Sequence, residues 1–208
     1  MAEVEIRRPI PSPRDLLDLT GSVAVVTGAS GGIGAGIAIR FAAAGAAVLV
    51  HYRSGALGAA DVVAQIVAAG GAGEAVSAEL TDERSVEAMM LRAAERFGPV
   101  DILINNAGQN FPLHPIADIS IDEWRAMYRD NVESMFLCTR SVIAAMRERG
   151  GGAIVNVGSI SASNPATDHR PILRMSLMAI CAAVLSWSSM VRRLHIMLCR
   201  IIGTCTSK

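Results

Sequence analysis

Apolar runs of strand length alternate with longer, helix-like segments along most of the chain. The runs are rich in valine, isoleucine, leucine and alanine and predict five strands, at 22–28, 47–52, 74–80, 100–108 and 153–157. The segments between them predict helices over 33–46, 59–71, 82–98 and 121–149. Strands that alternate with helices of this length are typical of βαβ units and a parallel sheet. The runs contain few polar residues, which indicates strands covered on both faces.

Capping residues place the ends of two of the predicted helices. Thr81 is the predicted N-cap of the third helix, which ends at Gly98. Ser120 and Glu123 have the spacing of a capping box, in which a serine and a glutamate three residues later satisfy each other's backbone amides. This pair predicts the start of a long helix that runs to Arg149.

Composition excludes several classes of function. The 208 residues carry 19 basic and 19 acidic side chains, so the formal net charge is zero and no nucleic-acid partner is expected. The cysteines form no C-x-x-C pair and the histidines have no ligand spacing, so no metal site is predicted. The uncharged run 177–191 has 15 residues, which is too short for a membrane span. The N-terminus lacks the apolar core of a signal peptide, so a cytoplasmic protein is expected.

Candidate chemistry begins where the first strand ends, in the sequence VTGASGGIGAGIA. Gly28, Gly32 and Gly34 lie between a predicted strand and a predicted helix. Glycines at this place let the backbone turn tightly and approach a phosphate, which the helix N-terminus attracts. The spacing G-x-x-x-G-x-G differs from the commoner G-x-G-x-x-G, and a plain tight turn is the alternative interpretation.

Together with Asn105–Gly108 (NNAG), this turn resembles the short-chain dehydrogenase/reductase family. Asn131 and Ser159 match the family's helix asparagine and catalytic serine, and the likeness continues in order from about residue 20 to 168. It implies an α/β fold of the Rossmann type, a doubly wound parallel sheet that is truncated at its C-terminal strands. The cofactor-binding residues that the resemblance implies are Gly28, Ser30, Gly32, Ile33, Gly34, Glu79, Leu80, Asn106, Ala107 and Gly108.

The catalytic residues of the family are only partly present. The resemblance implies that Ser159 hydrogen-bonds the substrate oxygen and that Asn131 supports a proton relay; an ordinary strand-end hydroxyl and an ordinary helix asparagine are the alternatives. The family also needs Tyr-x-x-x-Lys beyond the serine, because a cation must lower the pKa of the phenol. Here Ile172 and Ser176 stand at those positions. The only lysine of the chain is Lys208, so the catalytic pair is absent from these residues.

The composition changes from residue 171 onward. This segment has no Asp or Glu and holds three of the four cysteines, while all 19 acidic residues precede it. One hypothesis is that the reading frame, or the gene model, leaves the family near residue 171; a naturally divergent ending is the alternative. The predicted organisation is an N-terminal arm over 1–20, a dinucleotide-binding domain over 21–170, and a divergent tail over 171–208 that belongs to the same domain.

The end of the second strand bears on the choice of cofactor. NAD-binding proteins place an acid there for the ribose 2′-hydroxyl, but this chain has Arg53 and no carboxylate between Phe41 and Ala60. An arginine can pair with a 2′-phosphate through two hydrogen bonds. NADP(H) is therefore favoured, with NAD as the alternative cofactor and a solvated Arg53 as the alternative interpretation.

Two functions remain open from the sequence. The first is an NADP(H)-dependent oxidoreductase that interconverts a small alcohol and ketone, with a sugar-like or 3-oxoacyl-like substrate. The second is a dinucleotide-binding but inactive protein, or a frameshifted product, because the Tyr-Lys pair is missing. A small-molecule substrate and no membrane partner are expected. The resemblance further implies a homo-oligomer (dimer or tetramer), if the tail folds, through the apolar side of the helix over 121–149, which carries Met127, Phe136 and Val142.

Overall fold

The computed structural model of the protein describes residues 18–109 and 116–158. Among these residues five strands are observed: β1 (Val23–Val26), β2 (Ala47–Tyr52), β3 (Ala72–Ser77), β4 (Ile102–Asn105) and β5 (Ala153–Asn156). The described α-helices are α1 (Gly32–Ala43), α2 (Ala56–Ala68), α3 (Glu83–Phe97), α4 (Ile121–Tyr128) and α5 (Ser134–Glu148). A short 3-10 turn, Ile116–Asp118, precedes α4, and a π-helical turn, Arg129–Glu133, joins α4 to α5.

The five strands form one parallel sheet in the order β3-β2-β1-β4-β5. The order reverses at β1, because the chain moves outward to β2 and β3 and then returns to the other side at β4. In sheets of this kind the loops on either side of the reversal leave a crevice at the C-terminal ends of the strands. The predicted doubly wound parallel sheet is confirmed.

Side chains of the strands pack against helices on both faces of the sheet. Ala24 and Val26 of β1 contact the core formed by α1 and α2, in which Phe41 is fully buried. Val25 belongs to the second core, which α3 and α5 cover with residues such as Met89 and Leu137. Because successive side chains of a strand point to opposite faces, both sets must be apolar. This two-sided burial explains the uninterrupted apolar runs of the sequence.

Most of the predicted helices are present, but one predicted cap is wrong. The N-cap of α3 is Asp82, whose Oδ1 accepts from the backbone N–H of Arg84 at 3.0 Å. Thr81 instead donates its hydroxyl to Glu79 Oε1 at 2.9 Å. The capping box of Ser120 and Glu123 is confirmed at the start of α4.

Three further predictions differ from the structure. Strand β3 begins two residues before the predicted 74–80 and ends at Ser77, after which the chain turns toward α3. The single helix predicted over 121–149 is interrupted by the π-helical turn. The apolar residues Met127 and Val142 do not lie on a free surface but are buried within the chain, whereas Phe136 is 57 % exposed.

Candidate cofactor-binding site

The glycine-rich turn leads from β1 into α1 and leaves no room for side chains at two positions. Gly28 has φ +63°, and a Cβ atom there would lie 2.8 Å from the Cα of Ala107. A Cβ atom on Gly34 would lie 2.5 Å from the carbonyl oxygen of Gly28. Both approaches are closer than non-bonded atoms allow, so the turn requires glycine for its conformation and for its packing. We call residues 28–34 the glycine cradle.

The hydroxyl of Thr27 joins the end of β1 to the end of β4. Thr27 is 1 % exposed, and its Oγ1 accepts from the backbone N–H groups of Asn106 and Ala107, both at 2.9 Å. The same hydroxyl donates to the carbonyl of Ile104 at 3.2 Å. One side chain therefore accepts from two successive amides, of which the N–H of Asn106 also lies 3.1 Å from the carbonyl oxygen of Ile104, and it holds the NNAG segment beside the glycine cradle.

The side chain of Asn106 also connects the NNAG segment to the end of β1 and to the glycine cradle. Its Nδ2 donates to the carbonyl oxygens of Thr27 at 2.9 Å and Gly28 at 3.1 Å. These bonds explain why Gly34 must lack a side chain, because a Cβ atom there would lie 2.5 Å from the same Nδ2. Within the described part of the chain, the amide group of Asn106 thus faces the turn and not the open crevice.

His51 fixes the glycine cradle to the neighbouring strand, a contact that the sequence analysis missed. Its ring accepts a hydrogen bond from the backbone N–H of Gly28 at Nδ1, with a distance of 3.0 Å. The other ring nitrogen, Nε2, lies 3.1 Å from the carbonyl oxygen of Ala78. Burial lowers the pKa of the imidazole, since a charged ring would lose its solvation, so the neutral form is favoured. The only sequence signal was a polar residue inside an apolar strand.

A cavity of about 280 Å³ opens at the C-terminal ends of β1, β2 and β3. Among its lining residues are seven that the sequence analysis singled out: Gly28, Ser30, Arg53, Glu79, Leu80, Ala107 and Gly108. The cavity is also lined by residues that were not predicted to bind the cofactor, including His51, Tyr52, Ser54, Thr81, Gln109 and Asp130. Of the other predicted residues, Gly32, Gly34 and Asn106 shape the turn without lining the cavity, and Ile33 is 53 % exposed on α1.

Charged side chains stand at the mouth of this cavity. The exposed Arg53 donates to Gln109 Oε1 at 3.4 Å, which is long for a hydrogen bond. Burial raises the pKa of the Glu79 carboxyl, but hydrogen bonds from Thr81 and the positive charges of Arg53 and Arg129 outweigh it and keep that pKa below its ordinary value. The mouth therefore combines an ionised carboxylate with the guanidinium group of Arg53, which has donors left for an anionic ligand.

Asn131 lies in the π-helical turn and contacts the segment that follows NNAG. Its Oδ1 accepts from the backbone N–H of Gln109 at 2.9 Å, and its Nδ2 donates to the carbonyls of Met127 at 3.0 Å and Gln109 at 3.3 Å. Ser134 donates to the carbonyl of Asp130 at 2.8 Å. These side chains donate hydrogen bonds to carbonyl groups in a segment where the regular helical hydrogen bonds are shifted. Turns of the π-helical kind occur often at functional sites.

Ser159, the other predicted catalytic residue, lies outside the described residues. The structure therefore brings Asn131 to the rim of the crevice, through its contact with Gln109, and does not describe its position relative to Ser159. The last described residues of this region, Val157 and Gly158, directly follow β5, and the N–H of Val157 donates to the carbonyl of Asn105 at 2.9 Å.

A larger cavity, of about 510 Å³, lies between α3 and α5 and not at the strand ends. It is lined by apolar residues such as Met90, Leu137 and Val142, with the ion pair of Arg140 and Glu83 beside it. None of the residues of the glycine cradle lines it. Volume alone is therefore a poor guide to the site, because the smaller cavity is the one where backbone turns and polar side chains converge.

The model of the family described as short chain dehydrogenase matches residues 22–170 of the chain. The chain belongs to the short-chain dehydrogenase/reductase family. The resemblance drawn from the glycine turn and the NNAG motif is thereby confirmed, and the structure shows both motifs in contact across β1 and β4.

Curated short-chain dehydrogenase relatives are similar over the same part of the chain. A 7alpha-hydroxysteroid dehydrogenase of Escherichia coli is 40 % identical over 150 residues, which is 72 % of this chain and 58 % of that protein. A 3-oxoacyl-[acyl-carrier-protein] reductase of Synechocystis sp. is 36 % identical over 143 residues, or 69 % of this chain and 58 % of that protein. This chain thus spans less than two thirds of the length of these relatives.

Solved structures of short-chain dehydrogenases have the same fold. A 7α-hydroxysteroid dehydrogenase in complex with NADH and 7-oxo glycochenodeoxycholic acid aligns with a TM-score of 0.74 and 35 % identity, covering 82 % of this chain and 65 % of that one. A dehydrogenase/reductase of Sinorhizobium meliloti aligns with a TM-score of 0.72 and 32 % identity, covering 78 % of this chain and 64 % of that one.

The described residues contain neither a cluster of metal ligands nor a helix of membrane-spanning character. Within 18–109 and 116–158, no three His, Cys, Asp or Glu side chains come together in a group that could hold a metal ion. None of the helices described in those ranges has the length and apolar character that crossing a bilayer would require.

Proposed function

We propose that this chain is the cofactor-binding part of an NADP(H)-dependent oxidoreductase that interconverts a small alcohol and a ketone. The observation that carries the proposal is the glycine cradle, in which Gly28 lines the cavity, Gly31 and Gly32 are exposed, and Gly34 lets the turn pack closely. Such a surface fits the pyrophosphate of a dinucleotide, since the phosphates can approach the backbone and the N-terminus of α1. When bound, the nicotinamide supplies or accepts a hydride.

The proposed roles follow from where the residues lie. The residues proposed to surround the pyrophosphate are Gly28, Ser30, Gly32, Ile33 and Gly34. Glu79 and Leu80 are proposed to border the adenine, on the side of the cavity that β3 forms. Ala107 and Gly108 line the opposite side, while Asn106 holds that segment to the cradle. Asn131 positions the segment through Gln109.

The choice of NADP(H) over NAD(H) depends on the arginine at the cavity mouth. A 2′-phosphate carries negative charge that would favour a guanidinium, and Arg53 is exposed and weakly bonded in the structure. No carboxylate stands in the sequence between Phe41 and Ala60 to accept a ribose 2′-hydroxyl. The relative crystallised with NADH shows that the same fold also accepts the other cofactor, so the preference needs a direct test.

The test is a titration of the full chain with NADPH and with NADH, followed by tryptophan or nicotinamide fluorescence. Arg53→Ala should weaken NADPH by about 1.5–3 kcal/mol, as expected for hydrogen bonds to a charged group, and leave NADH almost unchanged. Arg147→Ala, an exposed arginine in the last turn of α5 at the opposite end of the sheet, is the matched control. Equal losses for both cofactors would show that Arg53 does not discriminate between them.

The substrate class is proposed from the relatives. Hydroxysteroids and 3-oxoacyl groups, which appear in their names, contain a secondary alcohol or a ketone. Ser159 is proposed to hydrogen-bond the substrate oxygen. A panel of ketones and alcohols, including 3-oxoacyl thioesters and sugars, would be assayed with NADPH and NADP⁺.

A second function is favoured by one specific observation, the missing Tyr-x-x-x-Lys. Tyr52 and Tyr128 are the only tyrosines, and neither has a lysine four residues later. Without a phenol activated by a cation, the chain would bind cofactor with very little turnover. Tight NADPH binding with no activity on the panel would support this second function, whereas clear turnover by these 208 residues would exclude it.

A further inference from the structure

His51 is the polar residue that the proposed function leaves without a role. It is the fifth of the six residues of β2, and its side chain is 2 % exposed. A backbone N–H can only donate, so the Nδ1 atom that faces Gly28 must carry a lone pair. The proton then lies on Nε2 and is donated to the carbonyl of Ala78. The hydrogen-bond network thus fixes both the neutral state and the tautomer of this ring.

The ring connects the two sides of the proposed cofactor site. Gly28 is the first residue of the glycine cradle, and Ala78 directly precedes Glu79 and Leu80, which line the opposite side of the cavity. The backbone of His51 also takes part, because its carbonyl accepts from the N–H of Ala29 at 2.8 Å. The imidazole therefore sets the distance between the turn that faces the pyrophosphate and the loop that faces the adenine.

We infer that His51 is a positioning residue for the dinucleotide, which holds the glycine cradle and the loop after β3 at the spacing that the cofactor needs and does so only in its neutral form. This inference rests on the proposed function, because it concerns the same site. His51 is assigned no part in the chemistry of the reaction. The side chain acts through the backbone of Gly28 and Ala78. The role therefore needs both ring nitrogens, Nδ1 as an acceptor and Nε2 as a donor.

Protonation would break the contact with Gly28. A second N–H, now at Nδ1, would face the N–H of Gly28, and two donors cannot share a hydrogen bond. The charged or titratable groups around the ring are Glu79 after β3, whose charge raises the pKa, Arg53 after β2, whose charge lowers it, and Asp130 on the far wall of the cavity. Burial lowers the pKa most strongly, so the contact is intact at neutral pH and is lost as the pH falls.

Two variants test the hydrogen bonds of the two ring nitrogens separately. The Oδ1 of His51→Asn takes the place of Nδ1 and can still accept from Gly28, but the variant loses the bond to Ala78. The Nε2 of His51→Gln takes the place of the ring Nε2 and can still donate to Ala78, but the variant leaves the N–H of Gly28 without an acceptor. If His51 had only a structural role, both variants would have similar dissociation constants for the cofactor, and any difference would follow their thermal stability.

The first measurement compares dissociation constants for NAD⁺ and NADP⁺ at pH 7.5 by calorimetry, with amide hydrogen exchange of Gly28 as an independent readout. His51→Gln should weaken both cofactors roughly tenfold and speed the exchange of Gly28, because a buried donor has lost its partner. His51→Asn should stay within about threefold of the wild type, with Gly28 protected. Equal weakening by both variants, or unchanged exchange of Gly28 in His51→Gln, would overturn the inference.

The second measurement is the pH dependence of binding from pH 7.5 down to 4.5, because burial lowers the pKa of His51 and places the loss of the contact below the ordinary value of 6.5. The wild type should lose affinity for NAD⁺ as the pH falls, and His51→Asn should lose clearly less because an amide does not titrate. Coinciding profiles would overturn the inference and leave the proposed function standing. A wild-type chain that binds neither cofactor at any pH would overturn the proposed function, and the positioning role with it.

Discussion

Different kinds of side chain connect β1 to β4 at the two ends of the sheet. At both ends a polar side chain ties β1 to β4, Thr27 at the C-terminal end and Asp101 just before β4 at the N-terminal end. Thr27 is neutral and buried, and the glycine cradle directly follows it. Asp101 is charged; its Oδ2 accepts from the N–H of Val23 at 3.0 Å and its Oδ1 lies 3.4 Å from Nη2 of Arg149.

The two ends of the sheet also differ in what stands beside the strands. At the N-terminal end Arg149 donates to the carbonyl of Val100 at 2.6 Å, just before β4, whereas the first residues of β1, β2 and β3 line a cavity of about 480 Å³. At the C-terminal end Gly28 lines the cavity and the backbone of Gly31 and Gly32 is exposed, so a ligand can approach the chain there. Substitutions at the two ends should therefore separate stability from cofactor binding.

The largest effect is expected from filling the glycine cradle. Gly34→Ala places a Cβ atom 2.5 Å from the carbonyl oxygen of Gly28, and this overlap should lower the free energy of unfolding by roughly 3 kcal/mol. Cofactor affinity should fall as well, because the turn must move. Gly36→Ala is the control in the same helix, since its Cβ would meet nothing within 4 Å, and it should stabilise by about 0.5–1 kcal/mol. Urea denaturation measures both; similar values for the two variants would show that the cradle is not tightly packed.

The next largest effect concerns the hydroxyl at the C-terminal end. Thr27→Val keeps the shape but leaves the N–H of Ala107 without its acceptor, while the N–H of Asn106 keeps only the carbonyl of Ile104, so the free energy of unfolding should fall by about 2 kcal/mol. Thr27→Ser retains the hydroxyl and should recover most of this loss. Denaturation and NADPH titration would be run on both variants. If serine is no better than valine, the methyl group and not the hydroxyl holds this end together.

A smaller effect is expected at the N-terminal end. Asp101→Asn removes the negative charge that pairs with Arg149 but keeps an oxygen for the N–H of Val23, so the loss of stability should be about 1–2 kcal/mol. Cofactor constants should match those of the wild type, because the change lies at the far end of the sheet. A drop in NADPH affinity larger than threefold would mean that the two ends are coupled through the strands.

The sequence predicts the architecture because its signals are local and repeated. The run of Val23–Val26 and the glycines after it indicate a strand, a tight turn and a helix without knowledge of any partner strand. The capping box at Ser120 is equally local, since both of its partners lie within one turn. Where two neighbouring residues could each cap a helix, as with Thr81 and Asp82, the sequence does not decide, because the hydroxyl of Thr81 is taken by Glu79.

The site is only partly predictable, because the residues that hold its loops in place are distant from those loops in the sequence. Motif residues such as Gly28 and Ala107 are recognisable, but their contact spans 79 positions and appears only when β1 and β4 pair. His51 gives no local signal of its two backbone partners, which lie 23 and 27 positions away. The π-helical turn around Asn131 is equally hidden, since nothing in the apolar pattern of 121–149 marks one extra residue.

That π-helical turn gives the helix region an uneven tolerance to insertion and deletion. Removing one residue from Arg129–Glu133 would restore regular α-helical bonding, but it would rotate α4 relative to α5 by about 100°. The loss of packing would be small, because Met127 is the one buried residue of α4. The five buried residues of α5 would keep their places. Helix length and the placement of Asn131 against Gln109 are thus coupled, so a shortened homologue could keep its core and still lose this corner of the crevice.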